Sequence, residues 1–162
     1  MAESGMRSKV LQRLRRLHGI AVENPALPGT ADVNYVEGWI ELKWLRKWPV
    51  LPGSVVRFEH YTPQQRIWHI KRRLAGGQSW LMIQCRLEWL LIDGGVAAKH
   101  LNNASRAKLY KLASHVWMKG LPPIEEFERC ILQKQSAFSF TEDDAALIRT
   151  KLPSKLEYDP TL

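Results

Sequence analysis

Residues 30–44 read Thr30-Ala31-Asp32-Val33-Asn34-Tyr35-Val36-Glu37-Gly38-Trp39-Ile40-Glu41-Leu42-Lys43-Trp44. Two runs rich in β-branched and aromatic residues, 31–36 and 39–44, flank Glu37-Gly38, and this pattern predicts a β-hairpin. A turn centred on Glu37-Gly38 sets Asp32 opposite Lys43 and Asn34 opposite Glu41. Strand side chains alternate between faces. Val33, Tyr35, Ile40 and Leu42 therefore form a core face, while Asp32, Asn34, Glu41 and Lys43 share the other.

Two carboxylates aimed at one spot repel each other unless a cation sits between them. Hard oxygen ligands with room for water and substrate suit Mg²⁺ or Mn²⁺. The peptide carbonyl of Leu42 offers a further oxygen, and Lys43, two residues beyond Glu41, can stabilise charge on a phosphate or orient a water. Such a set suits metal-assisted phosphodiester hydrolysis. A plain cross-strand ion pair of Asp32 with Lys43 would require neither Glu41 nor Asn34 on the same face.

On the N-terminal side, Met6, Val10, Leu14 and Leu17 repeat at helical spacing and predict an amphipathic helix over residues 3–18, ended by Gly19. Residues 20–22 read as a short strand. On the C-terminal side, Thr62 followed by Pro63 signals the N-cap of a helix reaching Leu74, which Ala75-Gly76-Gly77 ends. Residues 79–84 and 88–93 read as two strands joined at 85–87. After Gly94-Gly95 the spacing becomes helical over 96–101, 105–118, 124–133 and 142–151, the last capped by Thr141 with Asp144 three residues on. Strands clustered early between helices predict an α/β (α+β) fold, a small mixed β-sheet flanked by helices with extra C-terminal helices. Residues 1–95 are expected to form the core unit and residues 96–162 a C-terminal helical extension of the same domain.

Composition bounds the function. The 162 residues carry 24 Lys and Arg against 16 Asp and Glu, a net charge of +8. Of this excess, +7 lies within the first 81 residues, as expected of a surface that meets a polyanion. The two cysteines, Cys85 and Cys130, fit no metal or redox spacing, which points to a reducing compartment. The longest apolar stretch, residues 80–92, is interrupted by Gln84, Arg86 and Glu88, so no membrane span is expected. A cytoplasmic location is expected. No Gly-x-Ser-x-Gly elbow and no Gly-Lys-Ser/Thr phosphate loop occurs, which disfavours a serine hydrolase or a nucleotide-driven motor. His18, His60, His69, His100 and His115 show no ligand spacing and read as surface or packing residues.

Gly29-Thr30-Ala31-Asp32, eight intervening residues, then Glu41-Leu42-Lys43 resembles the PD-(D/E)XK nuclease motif, with Ala31 where the family has Pro. Thr62-Pro63-Gln64-Gln65-Arg66-Ile67-Trp68 and Ala75-Gly76-Gly77 resemble its continuation in VRR-NUC and phage Holliday-junction-resolvase-like endonucleases, and the resemblance spans residues 3–93. It implies a restriction-endonuclease-like core and a Mg²⁺- or Mn²⁺-dependent enzyme acting on DNA, with roles in DNA recombination or repair. By the same resemblance Gln65 supports the site. A further acidic ligand comes from Glu3 on the first helix or Glu23 after the first strand. Lys71, Arg72 and Arg73 are the best candidates for phosphate contacts. Arg46 and Lys47, interleaved with Trp44 and Trp48, lie where DNA could follow the strand end.

The resulting expectation is a divalent-metal-dependent endonuclease selective for branched, flap or Holliday-junction DNA. Symmetric cutting of a four-way junction by one site per chain would call for a homodimer. The alternative is a non-catalytic DNA-binding or assembly protein on the same scaffold, which would need the basic face but not both carboxylates.

Overall fold

The computed structural model describes residues 2–151. Among the described residues six strands form one mixed sheet whose spatial order follows the chain. They are β1 (Ile20–Ala21), β2 (Val33–Tyr35), β3 (Gly38–Leu45), β4 (Gln78–Cys85), β5 (Glu88–Asp93) and β6 (His115–Trp117). The helices are α1 (Ala2–Arg13), α2 (Pro63–Leu74), α3 (Gly94–His100), α4 (Arg106–Leu112), α5 (Ile124–Ile131) and α6 (Glu142–Lys151), with a 3₁₀ turn at Arg15–Leu17. All neighbouring strands are antiparallel except β3 and β4, which run parallel. A parallel pair needs a crossover, and α2 lies within the segment that makes it. The expected α/β sheet flanked by helices is the fold of the chain.

Alternation along the strands divides the core in two. Met6 and Val10 of α1, Leu14 just after it, and Phe127 and Ile131 of α5 pack with Val33, Tyr35, Ile40, Leu42, Trp80 and Met82 on one side. Leu81, Ile83, Leu90 and Ile92 face the other side with Val56, Phe58, Tyr61, Ala97, Leu101 and Leu109. β4 contributes to both, which is why Trp80-Leu81-Met82-Ile83 is apolar without alternation. The expected core face of the hairpin is the one that packs on α1.

Three readings of the sequence are corrected. First, the hairpin turns at Val36-Glu37, and its register pairs Val33 with Ile40, Asn34 with Trp39 and Tyr35 with Gly38. Gly38 belongs to the strand because β3 approaches β4 closely there. A Cβ on Gly38 would lie 2.7 Å from Gln78 O and 2.9 Å from the Tyr35 hydroxyl. Extending that register by one residue sets Asp32 opposite Glu41, rather than opposite Lys43.

Second, residues 105–118 are not one helix. α4 ends at Leu112, Ala113 is extended (ψ 133), and the Ser114 N–H donates to Leu91 O at 2.8 Å. His115-Val116-Trp117 then pairs with the edge of β5. Val116 packs toward one core and Trp117 toward the other, a strand alternation too short to register in a sequence. The segment after residue 95 thus supplies a strand of the sheet as well as helices. Third, the first helix stops at Arg13, and the left-handed residue that closes the following 3₁₀ turn is His18 (φ 54), not Gly19.

No helix among the described residues is long and apolar enough to cross a membrane. Cys85 and Cys130 are buried and unpaired.

Candidate active site

The motif residues converge between β2, β3 and α2. Asp32 precedes β2, where the Val22 N–H donates to its carbonyl at 2.8 Å and the Leu42 N–H donates to its Oδ2 at 2.8 Å. A strand residue sends its N–H and C=O toward the same neighbour in an antiparallel pair. The Leu42 carbonyl therefore leaves β3 on the Asp32 side. Glu41, opposite Asp32, has no solvent exposure. Its Oε1 accepts two hydrogen bonds, from Lys43 Nζ at 2.7 Å and from Gln65 Nε2 at 2.7 Å. Lys43, 7% exposed, also donates to His60 O at 3.3 Å, and its ammonium sits 5.7 Å from the centre of the Tyr61 ring.

Gln65 is aimed by a capping box. The Thr62 hydroxyl accepts the Gln65 N–H at 3.2 Å while Gln65 Oε1 accepts the Thr62 N–H at 3.0 Å. With its oxygen held by the helix end, its Nε2 is left to meet Glu41. Gly29 brings the motif loop onto this same helix end. It is left-handed (φ 92), and a Cβ there would lie 2.5 Å from the Gln64 carbonyl carbon and oxygen. The Gly29-Thr30-Ala31-Asp32 entry and the Gln65 helix are therefore fitted against each other.

Burial, and then the negative charge of Asp32, push the Glu41 carboxyl up to about 8, against the opposing pull of Lys43. Glu41 Oε2 is buried without a hydrogen-bond partner. Across from it, at 4.0 Å, stands His69 Nε2, likewise buried and unpartnered. Burial, and then the charges of Lys43 and Arg72, hold His69 down at about 3, so its ring is neutral. Its Nδ1 is hydrogen-bonded to the Ser79 hydroxyl, and the Ser79 backbone is gripped by Gln135 through bonds of 2.8 and 2.6 Å. His69 is thus part of the site, although its sequence context suggested packing. The available signal was its position four residues after Gln65, on the same helix stripe.

The remaining sequence candidates fare unequally. Glu23 follows Val22, the partner of Asp32, and so is one residue out of phase with the site face. It is exposed and lies 3.8 Å from Arg7. Glu3 falls in α1, and its side chain lies outside the described residues. Arg73 is not a phosphate contact. It is 4% exposed, pairs with Asp93 through Nε and Nη2 at 3.1 Å, and donates to Gly77 O and Ser136 O. Lys71 is exposed and Arg72 half-buried. Arg46 and Lys47 are exposed beyond the end of β3. Trp48 is committed elsewhere, donating to Glu88 Oε2 at 2.8 Å beneath the Arg106 guanidinium. Trp44 keeps 38% of its surface exposed.

Among the described residues no three His, Cys, Asp or Glu side chains are grouped to hold a metal ion. The donors that converge are two carboxylates and a backbone carbonyl. They fit a hard divalent cation on one observation: a buried Glu41 oxygen with no partner, on a carboxyl whose ionisation is opposed by burial and by Asp32. No family model matches the chain, and no curated protein or solved structure matches it.

Proposed function

We propose that this protein is a divalent-metal-dependent DNA endonuclease of the PD-(D/E)XK type, acting on branched, flap or Holliday-junction DNA. The observation that carries this reading is the placement of Asp32 opposite Glu41, with Lys43 and Gln65 both donating to one Glu41 oxygen. An incidental surface ion pair would not be buried, nor would it be braced from a separate helix. The order of helix, antiparallel hairpin, crossover helix and parallel strand supports a restriction-endonuclease-like core.

Asp32, Glu41 and the Leu42 carbonyl would hold Mg²⁺ or Mn²⁺. Such an ion, when bound, polarises the phosphodiester and lowers the pKa of water. Lys43 supplies positive charge where negative charge develops on the phosphate. Gln65 fixes the Glu41 carboxylate, so the charge faces one direction before substrate arrives. The exposed cations Lys71, Arg46 and Lys47 supply sequence-independent phosphate attraction.

The test is a cleavage panel of linear duplex, single strand, flap and four-way junction with Mg²⁺ or Mn²⁺, using Asp32→Asn as the control. Metal-dependent cutting that is lost in Asp32→Asn bears the reading out. DNA binding without cutting under any of these conditions would replace it with that of a DNA-binding protein on the same scaffold. Sedimentation with and without junction DNA then reports whether two copies act together.

A further inference from the structure

Two residues before Glu41, on the same face of β3, the strand carries Trp39, and Asn34 lies opposite it across the hairpin. Trp39 meets Trp68 of α2 edge-on, with ring centres 5.4 Å apart. The Arg72 guanidinium bridges the two rings, 4.8 Å from the centre of Trp68 and 5.5 Å from that of Trp39. Both tryptophans are half-buried, and neither belongs to either hydrophobic core. Trp39, Arg72, Asn34, Gln78 and Glu37 of the exposed turn line an open groove of about 230 Å³. Its amides are held in place: Asn34 Nδ2 donates to Gly38 O at 3.0 Å, and Gln78 Oε1 accepts the Gln135 N–H at 3.0 Å.

We propose that this groove is a stacking site for one unpaired nucleotide of a DNA strand, an inference that rests on the nuclease reading above. A two-residue step along a strand is about 7 Å, the span of a single nucleotide. A base lying on Trp39 would therefore belong to the nucleotide next to the phosphate engaged at the proposed Asp32–Glu41 metal site. The groove is smaller than the roughly 300–1,000 Å³ of sites for drug-sized ligands, and takes one base with its sugar but not a duplex. An indole face with an adjoining guanidinium is the chemistry that binds unpaired bases irrespective of sequence. Arg72, charged and bridging two aromatic rings, meets the flanking phosphate. The substrate this arrangement selects has a base out of the helix at the cut, as at a flap, a branch or a single-stranded end.

Binding is measured on the full chain in Ca²⁺ without added Mg²⁺, using a short oligothymidylate carrying one 2-aminopurine, a blunt duplex and free thymidine monophosphate. Wild-type protein is expected to quench the 2-aminopurine. Trp39→Ala should abolish quenching and weaken oligothymidylate binding about 5- to 150-fold, the range for one stacked base, while duplex affinity changes less than twofold. Trp39→Phe should restore most of it. Arg72→Gln, which keeps the indole, should retain quenching but bind less tightly. Oligothymidylate binding by Trp39→Ala at wild-type affinity would overturn the proposal. So would equal losses for duplex and single strand, or free monophosphate binding as tightly as the oligonucleotide. Absence of cleavage in the metal panel, with Trp39-dependent quenching intact, would sink the nuclease reading and leave an unpaired-base binding protein.

Discussion

His69 Nε2 faces Glu41 Oε2 at 4.0 Å, and neither atom has a hydrogen-bond partner. In the neutral tautomer whose Nδ1 accepts a hydrogen bond from the Ser79 hydroxyl, the ring proton is on Nε2, on the side of Glu41. His69 is then a positioning residue that turns its N–H toward the second carboxylate oxygen across 4.0 Å, without a hydrogen bond, while Lys43 and Gln65 hold the first. His69→Ala removes that support and leaves the Ser79 hydroxyl without its partner. Urea unfolding should show a loss on the order of 2–3 kcal/mol. His69→Gln, which can restore one donor, should recover part of both stability and cleavage rate. Equal cleavage by wild type and His69→Ala would remove the residue from the site.

The Glu41 carboxyl gives the chain a pH dependence of definite sign. Its ordinary value is 4.5 and the folded protein raises it to about 8. Between those values the folded state binds the proton more tightly than the unfolded state. Stability in chelator therefore falls as pH rises through that window. Thermal melts from about pH 5 to about pH 8 should slope downward, and Glu41→Gln should flatten the slope. A divalent cation at Glu41 favours the ionised form. Millimolar Mg²⁺ should accordingly raise the melting temperature more at the alkaline end than at the acid end. A melting temperature indifferent to both pH and Mg²⁺ would contradict the assigned environment of Glu41.

Lys43 tests the chemistry, with a thermal melt to check that loss of its buried bond to Glu41 leaves the chain folded. Its charge is needed chiefly where charge develops on the phosphate, so Lys43→Ala should slow cleavage about 10²- to 10³-fold. DNA affinity in Ca²⁺ should stay within about threefold, because a single cation contributes little to an interface dominated by many phosphate contacts. Single-turnover rates at saturating metal separate the two effects. Near-normal rates in this variant would end the assignment.

Replacing Mg²⁺ by Ca²⁺ is expected to permit binding and stop cutting. Calcium keeps the charge and the oxygen preference, but is larger, less exacting in geometry and a weaker activator of water. A gel-shift and a cleavage assay run on the same Ca²⁺ sample decide it. Efficient cutting in Ca²⁺ or in excess chelator would contradict two carboxylates as the metal donors.

The two faces of the hairpin were legible because alternation survives a register error. Moving the turn from Glu37-Gly38 to Val36-Glu37 shifts the pairing by two positions and leaves every side chain on its face. The pairing itself was not legible. Gly38 is claimed by the parallel neighbour Gln78, forty residues away in sequence, and nothing within residues 30–44 records that contact. β6 is illegible for a similar reason, since three residues at an edge carry too little alternation to distinguish strand from helix. Lys71-Arg72-Arg73 reads as three equivalent cations, yet Asp93, on a strand twenty residues on, draws the third into the interior. Gln65 and the Thr62 cap were local patterns and appear where the sequence put them.

That difference among the three cations makes the last prediction. On the proposed reading Lys71, together with Arg46 and Lys47 beyond β3, would meet phosphates, whereas Arg73 holds the α2 end to β5. Lys71→Ala combined with Arg46→Ala and Lys47→Ala should flatten the slope of log affinity against log salt by about 0.9 per lost contact. The loss should be the same for every duplex sequence, and the melting temperature should barely move. Arg73→Ala should do the reverse. Removing one partner of a buried pair costs about 3–5 kcal/mol, and Asp93, which also caps α3 through the Gly95 N–H at 2.8 Å, loses its charge partner. Its salt slope should match wild type at temperatures where it remains folded. A flattened slope in Arg73→Ala, or an unchanged one in the triple variant, would move the DNA to another face, with Arg15 and Arg16 of the first 3₁₀ turn the next exposed cations to replace.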